Sequence, residues 1–149
     1  MESSATASIL VVAHRTAATA GLADAVRDRA SQGPARFTLL VPRAAHGLHR
    51  LVDPENQDEG EARGVLEQAL PILTEAAGSP VEGMIGDHTP LTAIEDAVNA
   101  RHFDEIILST LPATISKWLK LDLPHKVTGL GLPVTTVTAV EAEQASAVG

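Results

Sequence analysis

The sequence predicts an α/β protein of one domain, with a doubly wound parallel sheet and helices on both faces. Three observations predict it. Short apolar runs alternate with helical stretches along the 149 residues, and that alternation implies parallel strands joined by crossover helices. The runs at Ile9–Ala13 and Phe37–Val41 are nearly continuously apolar, as strands covered on both faces must be. Hydrophobic residues make up 44% of the chain but aromatics only 2%, so the core must be built from Ala, Val, Leu and Ile, which suits buried parallel strands.

Each element has its own signal. Residues 1–7 are small and polar and are expected to form a flexible N-terminus, followed by a folded domain over 8–140 and a flexible tail over 141–149. After the first strand, Leu22, Ala25, Val26 and Ala30 form one helical stripe that ends near Gly33. The second strand stops at Pro42. Residues 43–60 read as a long connection with an acid-rich, solvated loop around Asp53-Pro54. A helix from Glu61 to Ala77 follows, with Val65, Leu66, Ala69, Leu70, Leu73 and Ala76 on its buried face. Pro71 should kink it or remove a hydrogen bond, and Gly78 should end it. Val81–Ile85 is the third strand. Thr89-Pro90 supplies an N-cap and a first-turn proline for a helix that turns Leu91, Ile94, Ala97 and Val98 inward. Glu105–Leu108 is the fourth strand, Asp122 caps a short helix over Leu123–Thr128, and Val134–Val137 is the fifth strand.

Composition excludes several functions. The net charge of -8 is opposite to the basic surface that nucleic acid requires. The scarcity of aromatics removes the stacking platforms of single-strand binders. There is no cysteine, hence no disulfide, thiolate metal site or cysteine nucleophile. The apolar run at Ile9–Ala13 is too short for a membrane span or a signal h-region. A cytoplasmic protein with no membrane and no nucleic-acid partner is expected.

The opening ILVV strand, the GDHTPLTAI turn and helix, the DEIILST strand and the closing LPVTTV strand occur in an order and spacing that resemble the universal stress protein family. The resemblance spans about Ile9 to Val137. It implies a five-stranded, Rossmann-like sheet of order 3-2-1-4-5 and a homodimer. It also implies ATP binding, through an acidic residue after the first strand and a glycine loop after the fourth that lets backbone amides approach phosphate. Here His14 occupies the acidic position. The loop after the fourth strand reads Ser109-Thr110-Leu111-Pro112-Ala113-Thr114, without glycine, and Pro112 has no amide to donate. Asp122 places a carboxylate near the helix terminus that should receive phosphate, which opposes a triphosphate.

In α/β sheets ligands bind beyond the carboxyl ends of the strands, where the strand order reverses. The candidate crevice residues are therefore His14, Arg15, Val41, Arg43, Gly86, Ser109, Thr110, Ser116, Lys117 and Lys120. All the lysines of the chain (Lys117, Lys120 and Lys126) lie within ten residues, and His46, His49 and Arg50 add cationic character after the second strand. Two readings of this cluster fit: a positive funnel for an anion, or solvated loop charge, which is the simpler. His14 is either a ligand contact or a neutral filler of the acidic site. His46 and His49 with Asp53 are too weak a set to expect a metal. The hydroxyls after the fourth strand lack the elbow of a nucleophilic serine and read as caps for loop amides. Gly86 reads first as a backbone requirement of the turn and second as a point of ligand approach. Trp118 fits either a core plug or a lid.

The sequence thus leads to a non-catalytic stress-response or regulatory protein with a degenerate ATP loop. It would act through a protein partner or a small anionic ligand, and no resident cofactor is expected. The first alternative is an adenine-nucleotide binder, for ATP or a related nucleotide, using a divergent loop. The second is a nucleotide hydrolase. A homodimer through the C-terminal strand would cover an apolar sheet edge.

Overall fold

A computed structural model describes residues 6–43, 54–111 and 117–139, with the side chains of 54–59, 117 and 120 excepted. The elements run β1 (Ala7–Val12), α1 (Ala20–Ser31), β2 (Ala35–Pro42), α2 (Pro54–Ala77), β3 (Glu82–Gly86), α3 (Pro90–Ala100), β4 (Glu105–Thr110), α4 (Lys117–Lys120), α5 (Leu123–Thr128) and β5 (Val134–Thr138). The five strands form one sheet in the order β3-β2-β1-β4-β5, and every pairing is parallel. The expected doubly wound architecture is the one observed.

Alternate residues of each central strand feed two cores, as the period of two dictates. Ile9, Val11, Phe37, Leu39 and Ile107 pack with Leu22 and Val26 of α1 and with Leu66, Ala69 and Leu73 of α2. Leu10, Val12, Leu40, Ile106 and Leu108 pack with Ala93, Ile94 and Ala97 of α3 and with Leu123 and Val127 of α5. Burying each large aliphatic side chain contributes about 1.5–3 kcal/mol. This double coverage is why the strands read as unbroken apolar runs.

The helix termini depart from expectation in instructive ways. The second helix begins at Pro54, not at Glu61, so most of the stretch read as an acidic loop is helical. Proline is tolerated in a first helical turn, where its missing N–H has no partner to lose. The helix continues through Pro71 and ends at Gly78, whose φ of +75° is readily available only to glycine. Thr89 stands at the N-cap of α3 without a side-chain bond. Its own N–H instead donates to the Asp87 carboxylate at 2.9 Å, so Asp87 closes the turn. Asp122 likewise occupies the N-cap of α5 without capping it: its backbone is left-handed, with φ 59°. A carboxylate oxygen of Asp122 instead lies 3.2 Å from His125 Nδ1. Trp118, on the unexpected helix α4, is half-buried against the α3–α5 core, so it serves as packing.

The amino ends of the strands are tied together by charged groups. Arg29 grips the Glu105 carboxylate side-on, with Nε donating at 3.0 and 3.1 Å and Nη2 at 2.7 Å. This joins the end of α1 to the start of β4. The Asp104 carboxylate accepts from Ser8 N–H at 2.8 Å, and Asp104 N–H donates to Ser8 O at 2.7 Å, which locks β1 to the entry of β4. Arg101 Nη2 donates to Thr38 Oγ1 at 2.8 Å and to Glu82 Oε1 at 2.7 Å, drawing β2 and β3 together. Among the described residues no helix is long and apolar enough to cross a membrane.

Candidate functional site

The strand order reverses between β1 and β4. The chain leaves β1 toward β2 on one side and returns to β4 on the other, so the two loops diverge there and leave a crevice at the carboxyl end. The carboxyl end of β1 lies between β2 and β4, with Val12 beside Leu40 and beside Leu108. The hydrogen bonding continues past the strands. Ala13 N–H donates to Leu40 O at 3.2 Å, and Arg43 N–H donates to Gly86 O at 3.0 Å. His14 and Arg43 thus begin from backbone held by neighbouring strands.

His14 follows β1 directly and opens a turn in which Ala17 N–H donates back to its carbonyl at 3.2 Å. Its ring is half-buried, and Nε2 is buried with no hydrogen-bond partner among the described residues. Burial holds the imidazole below its ordinary pKa. The Glu61 carboxylate pulls against that shift, and the Arg15 guanidinium adds to it. At neutral pH His14 is therefore an uncharged ring with one donor and one acceptor nitrogen. Arg15 itself is exposed. Arg43 is half-buried, and its Nε is the second buried nitrogen without a partner among the described residues. An unpaired buried donor costs about 1–3 kcal/mol, so two such nitrogens at adjacent strand ends require an explanation.

Toward β4 the polar groups are paired. Thr16 and Ser109, each 2% exposed, share a 2.5 Å hydroxyl–hydroxyl bond across the point where the strand order reverses. Thr19 caps α1 through Leu22 N–H and donates to Thr16 O at 2.8 Å, which fixes the turn that presents Thr16. The Thr110 hydroxyl donates to Thr138 Oγ1 at 3.4 Å, and its carbonyl accepts from Ala139 N–H at 2.9 Å.

Two sequence candidates have other roles. Val41 is wholly buried and belongs to the core shared with α1 and α2. Gly86 is required by packing. A Cβ there would stand 2.6 Å from Ala93 Cβ and 2.9 Å from Leu40 Cδ1, so the absent side chain is what lets α3 lie close to β3. Ser116 falls outside the described residues. Lys117 and Lys120 are on α4, with side chains outside the described set. His46, His49, Arg50 and Asp53 are also outside it. Among the described residues no group of three metal-ligating side chains occurs. Thr16 escaped the sequence reading. A threonine in a turn carries no periodic signal, and its partner lies 93 residues away.

No protein-family profile and no curated protein matches the sequence. The structure does match solved ones. A universal stress family protein from Burkholderia pseudomallei superposes with a TM-score of 0.62 at 17% identity, covering 89% of this chain and 96% of its own. The universal stress protein of Archaeoglobus fulgidus in complex with dAMP gives 0.59 at 14% identity, covering 89% and 98%. A universal stress protein in complex with cAMP gives 0.56 at 14% identity, covering 92% and 99%. The strand order, the doubly covered sheet and these superpositions agree: the chain has the universal stress protein fold.

Proposed function

We propose that the chain is a non-catalytic regulatory protein of the universal stress type, acting in the stress response of the cytoplasm. It acts through a small anionic ligand bound at the carboxyl end of its sheet, or through a protein partner. The observation that supports this reading is a pair of nitrogens, His14 Nε2 and Arg43 Nε, buried without a partner among the described residues. They are groups that a ligand rich in acceptor oxygens would satisfy. The hydroxyls beside them favour binding over catalysis, since Ser109 is bonded to Thr16 and Thr110 to Thr138, not to a base.

A second reading, an adenine nucleotide held by a divergent loop, draws support from the neighbours of this fold in complex with dAMP and cAMP. A thermal-shift titration with ATP, AMP, cAMP and inorganic phosphate, with and without magnesium, tests both. A ligand of the folded state at a hundred times its Kd stabilises by about 2.7 kcal/mol. A saturable shift supports ligand binding, and nucleotide shifts far above that of phosphate favour the second reading. No shift at millimolar concentrations overturns ligand binding in both readings.

The same reading includes a homodimer through β5. This strand ends the sheet, pairs with β4, and exposes Thr135, Thr136 and Thr138. Its free edge suits pairing with a second copy. Sedimentation at micromolar concentration should show a dimer, and a monomer alone would remove this part.

A further inference from the structure

We propose that the ligand's oxyanion, a carboxylate or a phosphate of low charge, is received between the ends of β1 and β2, on Arg43 Nε and His14, rather than on the paired hydroxyls at the end of β4. This rests on the reading that the chain binds a small anion, and it adds where the anion sits and what charge it bears.

Hydrogen-bond supply differs across the sheet end. On the β4 side, the hydroxyls of Thr16, Ser109 and Thr110 already have partners. A phosphate taking the Thr16 or Ser109 hydroxyl as a donor would compete with the bond between them, in which both residues are buried. On the β2 side the nitrogens are buried and free of partners among the described residues. An arginine Nε is always a donor and always part of a cation. It is therefore best satisfied by an anionic oxygen, to which its hydrogen bond is assisted by charge on both sides. His14 contributes a neutral ring, one tautomer of which offers an N–H at the buried Nε2 as a second donor at the neighbouring strand end. The main chain from which both side chains spring is held, because Arg43 N–H donates to Gly86 O and Ala13 N–H to Leu40 O. Arg15, exposed beside His14, adds positive charge at the rim.

Charge sets the class of ligand. Glu61 acts on His14 electrostatically, so a carboxylate already stands near the mouth. With Arg43 half-buried, Arg15 in solvent and Glu61 opposing, the mouth suits a single negative charge better than the four of a nucleoside triphosphate. A carboxylate and a phosphodiester share that chemistry, and the test separates them.

The test is an NMR titration of the uniformly labelled full chain with acetate, cAMP, inorganic phosphate and ATP, following the Arg43 Nε–H and His14 ring signals. The expected result is a saturable shift of both signals with acetate or cAMP, at lower concentration than with ATP, and slower solvent exchange of Arg43 Nε–H. A response to acetate alone identifies a carboxylate ligand. A response to cAMP alone identifies a phosphodiester. Arg43→Gln should weaken that binding about tenfold or more, the loss expected of a charged hydrogen bond, and Arg43→Lys should recover part of it. The wild-type signals need no variant, so a misfolded Arg43→Gln leaves the test intact. Three outcomes overturn the proposal. One is an Arg43 Nε–H that exchanges slowly without ligand and ignores every anion, so that its acceptor belongs to the chain. Another is an anion that binds with the same affinity in folded Arg43→Gln but loses it in Lys117→Gln, which leaves anion binding standing and moves its seat. A titration flat for all four anions sinks the anion-binding reading as well.

Discussion

The two ends of the sheet solve the same problem in opposite ways. At the amino end every charged group described above has a partner: Arg29 with Glu105, Asp104 with Ser8, and Arg101 with Glu82 and Thr38. At the carboxyl end, toward β2, two nitrogens are buried without one among the described residues. Strand entries must be joined and need only hold. Strand exits face the crevice where the order reverses, and groups left unsatisfied there are available to something that is not the chain. The amino end is thus organised for stability. The carboxyl end gives up stability where binding is proposed, as sites commonly do.

Substitutions can break or sharpen this contrast. The largest effect is expected where the carboxyl end is satisfied. Ser109→Ala leaves the Thr16 hydroxyl buried without its partner and should cost about 1–3 kcal/mol in urea unfolding. The double variant with Thr16→Val should recover much of that, because no lone hydroxyl remains. A double-mutant cycle showing strict additivity would mean that the pair does not act as a unit.

Glu105→Gln, at the amino end, removes the charge that Arg29 grips. A partly buried, side-on pair predicts a loss of about 1–2 kcal/mol. A loss near zero would reduce the clasp to an ordinary surface pair.

His14→Leu should do the opposite. Removing an unpaired buried nitrogen should leave stability unchanged or raise it by up to about 1 kcal/mol. It should also change the pH dependence. The folded-state pKa of His14 lies below the ordinary 6.5, so the unfolded chain takes up the proton first and stability falls as pH drops through about 6.5. The loss levels off below the folded-state pKa. The variant should lack this part of the slope between pH 7 and 5. An unchanged profile would assign it to other groups.

Asp104 gives the smallest and most local effect. Hydrogen bonds from Ser8 N–H and then from His102 hold its carboxyl below the ordinary 3.8. The stability it contributes is fully present above that value and disappears as pH falls through the folded-state pKa. Asp104→Asn should flatten the acid limb of the stability curve below pH 4 and leave the region around pH 6 alone. A change confined to pH 6 would overturn the assignment.

Much of this architecture was legible in the chain. The strands were legible because double coverage makes them apolar throughout, and α1 and α3 because their stripes repeat at helical spacing. The start of α2 was not. An Asp-Pro followed by carboxylates is equally a turn and a first helical turn, and local sequence cannot separate the two. The site was only half legible. His14 and Arg43 were reachable, since residues just past strand ends are natural candidates in this architecture. Val41 lies wholly in the core, and an apolar residue at a strand end looks the same in the sequence whether it faces a ligand or a core. Gly86 was only partly read, because the near approach of Ala93 is not written beside it.

By itself, the sequence determined the class of the protein. Alternating apolar runs and amphipathic stretches are local patterns, and they leave few ways to cover a parallel sheet on both faces. Tertiary structure alone decided which polar groups are satisfied. Ser109 finds Thr16 across 93 residues and Arg29 finds Glu105 across 76, while His14 Nε2 and Arg43 Nε find no partner among the described residues. A hydrogen bond depends on distance and direction between groups that strand order brings together, and no local pattern in the chain encodes that.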